Sequence, residues 1–142
     1  MPDMTRAPAA LTMPVETVMT RRIVQIVEQI PMSEVRNIAA KYDYNGYPVV
    51  TTEGRLVGMV TKGDLLRVAC AALEDPEVWQ EPVSRFMAHG ILALRPTDSL
   101  VSAIQNMTES KLRSLPVIDS ACRVVGMVSR NDLMVAIAPE AT

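Results

Sequence analysis

The chain has 142 residues, of which 49% are hydrophobic, 21% charged and 4% aromatic, with a formal net charge of −2. At roughly 100–200 residues per domain, this allows one compact domain or two small ones sharing a core, and it excludes a large multidomain enzyme. The near-neutral charge argues against a dedicated nucleic-acid binder, and no apolar window approaches the roughly 18 residues of a membrane span, so no membrane insertion is expected.

In chain order, residues 1–14 contain Pro2, Asp3, Arg6, Pro8 and Pro14. They lack the apolar core of a signal peptide and read as a mobile tail. Ile23-Val24-Gln25-Ile26-Val27 is a short apolar strand. Met32, Val35, Ile38, Ala39 and Tyr42 recur at helical spacing. Tyr47-Pro48-Val49-Val50, a turn at Thr52-Glu53-Gly54, and Leu56 to Val60 form a hairpin with a glycine-containing loop. A closing helix runs from Asp64 to Glu74. Residues 69–82 act as a linker, where Trp79 is expected to pack on the body or on a second copy.

The series then repeats. Shifted by 68 residues, the chain matches itself without a gap, and twelve positions within residues 15–68 are identical. Val15 falls on Val83, Met19 on Met87 and Ile23 on Ile91. Pro48-Val49 falls on Pro116-Val117, and Arg55 on Arg123. Val57-Gly58-Met59-Val60 falls on Val125-Gly126-Met127-Val128, and Asp64-Leu65 on Asp132-Leu133. The second copy reads as a strand Ile91 to Leu94 and a helix carrying Leu100, Ala103, Ile104 and Met107, with Thr97, Asp98 and Ser99 available as caps. A hairpin Leu115–Ile118 and Val124–Val128 follows, then a helix from Asp132 to Ala138. The division is therefore a tail 1–14, a unit 15–68, a linker 69–82, a unit 83–137 and a C-terminal tail 138–142. The expected fold class is α/β (α+β): two β-α-β-β-α units packed sheet to sheet with pseudo-twofold symmetry and a cleft between them. A duplicated unit too small to cover its own sheet would bury it this way.

Each hairpin ends in the same polar pattern: Thr61-Lys62-Gly63-Asp64, and Ser129-Arg130-Asn131-Asp132. A hydroxyl followed three residues later by an acid, just ahead of an apolar helix, is a capping box. The same residues suit a ribose-phosphate. A helix N-terminus offers free N–H groups to an anion. Thr61 and Ser129 can donate to phosphate, and Lys62 and Arg130 add charge. Asp64 and Asp132 can each accept from two vicinal hydroxyls. The two readings are compatible.

Together, in order and twice over, these segments resemble CBS domains, named after cystathionine β-synthase. The resemblance covers about residues 15–137. It rests on Val15-x-x-Val-Met-Thr20, Val83-x-x-Phe-Met87, the Tyr47-Pro48-Val49-Val50 and Leu115-Pro116-Val117-Ile118 strands, and the Gly-Met-Val-Thr/Ser-x-x-Asp segments. It implies a Bateman module, homodimeric through its CBS pairs. Such a module is non-catalytic and requires no cofactor. It binds AMP, ADP, ATP or S-adenosylmethionine as a regulatory ligand and signals to an effector protein in the cytoplasm. Carried over, phosphate and ribose fall to Thr61 with Asp64 and to Ser129 with Asp132. The base falls to residues around Thr20, Ile23 and Ile91, beside the Pro48 and Pro116 strands. Further polar contacts come from the loops holding Tyr44 and Arg113. These loops depart from the family pattern, with Asp43 and Lys111 where a glycine is frequent. Asp43 would repel a phosphate, while Lys111 and Arg113 would attract one, so the copies should differ. The alternative function is a ligand-free dimeric protein-interaction module whose Thr/Ser-x-x-Asp segments are caps alone.

Other residues read as structural. His89, beside Gly90, is a loop residue with no metal-ligand neighbours. The ten methionines are core filling. Cys70 is expected to be buried, and Cys122 exposed in the second hairpin turn.

Overall fold

The computed structural model describes residues 9–110 and 112–138. Its elements are β1 (Ile26–Val27), α1 (Met32–Lys41), β2 (Gly46–Val50), β3 (Leu56–Thr61), α2 (Lys62–Ala72), α3 (Leu100–Glu109), β4 (Ser114–Ile118), β5 (Val124–Ser129) and α4 (Arg130–Ile137). The architecture is mixed α/β, with each repeat contributing one hairpin flanked by helices. Two compact units result. The three-stranded unit comprises Ile23–Ile91 with Ser120–Val124. The two-stranded unit comprises the described residues up to Arg22, Leu92–Asp119 and the described residues from Val125 onward.

In the three-stranded unit the sheet order is β1-β2-β3, with β1 parallel and β3 antiparallel to the central β2. Its core holds Ile26, Met32, Val35, Tyr47, Val49, Val60, Val68, Val83 and Met87. In the two-stranded unit β4 pairs with β5, and Leu94 adds a parallel bridge to Val117. Its core holds Val15, Met19, Leu94, Leu100, Ala103, Met107, Leu115, Val117, Val128 and Leu133.

These units cut across the sequence repeats. The opening turn of each repeat packs in the core beside the other repeat's hairpin: Val15 and Met19 lie with Val117 and Val128, and Val83 and Met87 with Val49 and Val60. Two glycines make this possible. A Cβ on Gly126 would lie 2.6 Å from Met19 Sδ and 3.0 Å from the Thr20 carbonyl oxygen. A Cβ on Gly58 would lie 2.6 Å from the Ala88 carbonyl oxygen and 2.8 Å from Met87 Sδ. Only a bare backbone admits such an approach.

The first strand of each repeat is shorter than expected. Ile23–Val27 reduces to Ile26–Val27, and Ile91–Leu94 reduces to the single bridge at Leu94. The prolines supply the reason. Leu94 N–H donates to the Pro116 carbonyl at 2.8 Å, and Ile118 N–H returns a bond to the Leu94 carbonyl at 2.8 Å. The next bond of that parallel ladder would need an N–H on residue 116, and proline has none. Pro48 stops β1 in the same way, one residue before the Val49 that pairs with Ile26.

Other boundaries shift as well. Tyr42 closes α1 instead of continuing its apolar face, and its N–H donates to the Ile38 carbonyl at 2.8 Å. The closing helices start at Lys62 and Arg130, two residues before the expected Asp64 and Asp132. Of the stretch expected to be a tail, residues 1–8 lie outside the described residues. Ala9–Thr12 form a 3-10 turn, Leu11 packs against the core, and Pro14 bridges to Ser99. Of the C-terminal stretch, residues 139–142 likewise lie outside the described residues, and Ala138 caps α4. The linker is ordered around a 3-10 turn at Pro76–Gln80. There Trp79 packs against the core, and the Arg36 guanidinium lies 4.4 Å from its ring centroid. Cys70 is exposed, contrary to expectation. Asp64 and Val68 define the buried face of α2, and a residue two positions beyond Val68 points away from it. Cys122 is exposed, with a φ of 63°.

Candidate ligand-binding site

Each strand β3 and β5 runs into its helix without a loop. The last strand residue is therefore also the helix N-cap, still extended at φ −120° for Thr61 and −99° for Ser129. The acid falls at the third helical position, where it can reach back. Thr61 N–H donates to Asp64 Oδ2 at 2.8 Å, and Asp64 N–H donates to Thr61 Oγ1 at 3.3 Å. Ser129 N–H donates to Asp132 Oδ2 at 2.8 Å, and Asp132 N–H to Ser129 Oγ at 3.1 Å. Both capping boxes are complete.

Beyond the boxes the two sites diverge. Asp64 is only 5% exposed, and its Oδ1 is held by Arg67, one helical turn on. Lys62 is paired with Asp43, and this carboxylate beside it holds the Lys62 ammonium above its ordinary range. Asp43 is thus neutralised by the cation expected to attract phosphate. Tyr44 is exposed, its ring edge-on to that of Tyr47 at 6.1 Å. Tyr44 N–H donates to the Tyr47 hydroxyl, which donates in turn to the Tyr42 carbonyl. Pro48 is buried at the centre of β2. Ile23 and Ile91 are half-buried in this same unit.

The two-stranded unit gathers Thr20, Arg113, Pro116, Ser129, Arg130 and Asp132. Thr20 comes from the first repeat yet serves the second repeat's hairpin. Its N–H donates to the Met127 carbonyl at 2.8 Å, and Met127 N–H donates to the Thr20 carbonyl at 2.9 Å. Met127 and Ser129 share a face of β5, since side chains alternate along a strand. Ala88 makes the equivalent bridge to Met59 in the other unit. Arg130 N–H donates to the Arg113 carbonyl at 3.0 Å, which sets the two arginines side by side. Both are exposed, and neither forms an ion pair with a described residue. Pro116 is buried in β4. Lys111 lies outside the described residues.

Arg67 is a site residue that the sequence reading missed. Its signal was present in the i, i+3 spacing from Asp64. Among the described residues, no group of three or more His, Cys, Asp or Glu side chains is placed to hold a metal, and no helix is long and apolar enough to cross a membrane.

Two hairpin-to-helix junctions of one design, each completed by the other repeat's opening segment, mark a tandem module. The CBS domain model matches residues 15–70 and 83–139, and the chain belongs to the CBS domain family. The CBS domain-containing protein YhcV of Bacillus subtilis is 30% identical over 121 residues, covering 85% of this chain and 83% of that protein. The inosine-5′-monophosphate dehydrogenase of Aquifex aeolicus is 31% identical over 104 residues, which is 72% of this chain but 20% of the enzyme. The chain spans 20–43% of the length of several such longer curated relatives. Among solved structures, CBSX2 of Arabidopsis thaliana in complex with AMP superposes with a TM-score of 0.77 at 24% identity, covering 87% of this chain and 95% of that one. The CBS domain pair of MJ0100, in complex with 5′-methylthioadenosine and S-adenosyl-L-methionine, gives 0.73 at 22% identity, covering 86% and 93%.

Proposed function

We propose that the chain is a non-catalytic regulatory module that binds an adenosyl ligand, AMP, ADP, ATP or S-adenosylmethionine, at the junctions opening α2 and α4. It needs no cofactor of its own and works in the cytoplasm, passing ligand occupancy to an effector protein. The observation that carries this reading is at Asp132. The capping box there engages Oδ2, and no described residue holds Oδ1, which leaves it for a ribose hydroxyl beside two exposed arginines that form no ion pair with a described residue. The adenosyl ligands in the CBSX2 and MJ0100 structures support the ligand class. Relatives in which a similar stretch is a minor part of an enzyme support the regulatory role. Signalling would be a population shift, bounded by the ligand's differential affinity for two conformations.

The second reading is a dimeric protein-interaction module without a ligand. The completeness of both capping boxes favours it, since every residue then has a structural task. Titration calorimetry on ligand-stripped protein separates the two, using AMP, ADP, ATP and S-adenosylmethionine with Asp132→Ala as the control. Saturable micromolar binding that the variant loses supports the sensor. Folded, ligand-free protein that binds none of the four refutes it in favour of the interaction module.

A further inference from the structure

Asn45-Gly46 is the chain's one asparagine-glycine pair. Asn45 is exposed, and its side chain makes no hydrogen bond with a described residue. Gly46 opens β2 and carries no Cβ to shield its amide nitrogen. The strand register leaves that nitrogen out of the ladder. Met59 commits its N–H and carbonyl to Ala88, at 3.1 and 2.8 Å, so it turns both away from Pro48, which it faces across the hairpin. Antiparallel pairs alternate between hydrogen-bonded and non-hydrogen-bonded. Tyr47 and Val60 therefore exchange bonds, and Gly46 and Thr61 do not. Thr61 N–H accordingly donates to Asp64. Gly46 N–H points away from β3 and lies beyond the end of β1, whose partners on β2 are Val49 and Val50.

The other asparagines lack this arrangement. Asn37 and Asn106 lie inside α1 and α3, where the next residue's N–H belongs to the helix ladder. Asn131 is followed by Asp132, whose N–H donates to Ser129 Oγ at 3.1 Å. The second repeat has Arg113-Ser114 at the positions of Asn45-Gly46. Among the described residues, only the junction that opens α2 thus sets an asparagine side chain beside an uncommitted backbone nitrogen.

We infer that Asn45 is a site of spontaneous deamidation, a covalent change that recharges the α2 junction alone. Asparagine is one of the thermolabile residues. Hydroxide removes the Gly46 amide proton, and the nitrogen attacks Asn45 Cγ. The new C–N bond closes a succinimide ring, and the Cγ–NH2 bond breaks as ammonia leaves with a proton taken from water. Water then opens the ring at either carbonyl. One product is an aspartyl residue; the other is an isoaspartyl residue, whose main chain is longer by a methylene. Each adds a negative charge two residues from Asp43, whose partner Lys62 can balance only one carboxylate.

The test is peptide mapping of the folded full chain held in mildly alkaline heavy-oxygen water and digested in ordinary water, with a sample unfolded in guanidinium beside it. Trypsin cuts after Lys41 and Arg55 and releases residues 42–55. That peptide should split into two products of equal mass, each with the amide replaced by a carboxylate carrying heavy oxygen. It should convert about tenfold or more faster than the peptides holding Asn37, Asn106 and Asn131, a ratio that takes a barrier only about 1.4 kcal/mol lower. Unfolding should speed it by less than about tenfold, because the fold already leaves the pair open. Gly46→Ala should slow it by about tenfold, since a Cβ then crowds the nitrogen. That Cβ would lie 2.9 Å from Met59 Cε, the free end of a flexible side chain. Should Gly46→Ala still fail to fold, Asn45→Gln at an exposed position carries the test and should leave residues 42–55 unchanged. An intact wild-type peptide, conversion no faster than at the other asparagines, or a larger acceleration on unfolding overturns the inference. Conversion undiminished in the variants does likewise.

Discussion

Arg67 closes on Asp64 Oδ1, the carboxylate oxygen that the capping box leaves over. Both oxygens of this buried acid are therefore engaged, whereas Asp132 uses only Oδ2 on its cap. Removing Asp64 strips the Thr61 N–H of its acceptor and leaves Arg67 unpaired. Removing Asp132 costs a more accessible cap. Asp64→Ala should therefore destabilise by about 2 kcal/mol and Asp132→Ala by about 1 kcal/mol, within the range for lost caps. At about 4 °C per kcal/mol for a chain of this size, the melting points should fall by roughly 8 °C and 4 °C. Circular dichroism melts read the difference, and equal shifts would show that Arg67 and burial add nothing to the Asp64 cap. Arg67→Ala, by contrast, should free Oδ1 and tighten ribose binding in the three-stranded unit.

Gly126 and Gly58 set how closely each opening segment approaches its hairpin. Gly126→Ala puts a methyl against the Met19 side chain and the Thr20 carbonyl, and the latter is held in place by the two-bond backbone bridge to Met127. Overpacking of this kind costs about 1–3 kcal/mol. The same range is expected for Gly58→Ala against Ala88 and Met87. Hydrogen exchange would localise the effect. The Thr20 and Met127 amides should lose protection in Gly126→Ala, and the Ala88 and Met59 amides in Gly58→Ala. Melts unchanged by either substitution would mean that the approach is looser than these distances.

Much of this was legible in the sequence. The repeat, both hairpins, the helix faces and the two capping boxes all follow from spacing and periodicity. The length of the first strands was also written there, in Pro48 and Pro116, but reading it requires knowing which N–H a parallel neighbour would use. The placement of Val15 and Val83 in the other repeat's core was not legible, because a five-residue opening carries no signal of which hairpin it covers. Thr20 followed it, so its grouping with Ser129 appears only in three dimensions. The apolar run Leu65-Leu66-Val68-Ala69 ahead of Cys70 does not encode its exposure, which depends on which side of α2 each residue occupies.

The Lys62–Asp43 pair predicts a pH response. The ammonium titrates above its ordinary value of 10.5 because the Asp43 carboxylate accepts its hydrogen bond. A raised pKa of this kind contributes stability that is fully present below 10.5 and is lost as pH rises through the higher folded value. Both side chains are exposed, so the effect on melting should be small and screened by salt. Side-chain NMR is the sharper measurement. Asp43→Asn should lower the Lys62 midpoint toward 10.5. An unchanged midpoint would show that the pair does not persist in solution.

The closing helices carry a further prediction, because both leave apolar side chains uncovered in the isolated chain. On α2, Leu66 is 71% exposed; on α4, its repeat equivalent Met134 is 59% exposed, with Val135 and Ile137 beside it. Leu73, just past α2, continues the line one heptad beyond Leu66 with Cys70 between them. Exposed apolar residues gathered on one stripe mark interaction surfaces, whereas scattered single ones do not. A stripe duplicated along with the fold suits a symmetric partner, because a twofold interface must use the same surface on both copies. The homodimer that the resemblance to CBS pairs implies would use these stripes. Light scattering at tens of micromolar should give twice the chain mass for the wild type and the single-chain mass for a Leu66→Lys, Met134→Lys double variant. Both lysines would enter exposed positions, so the far-UV spectrum should not change. A monomeric wild type would reject the dimer, and a double variant that stays dimeric would place the interface elsewhere.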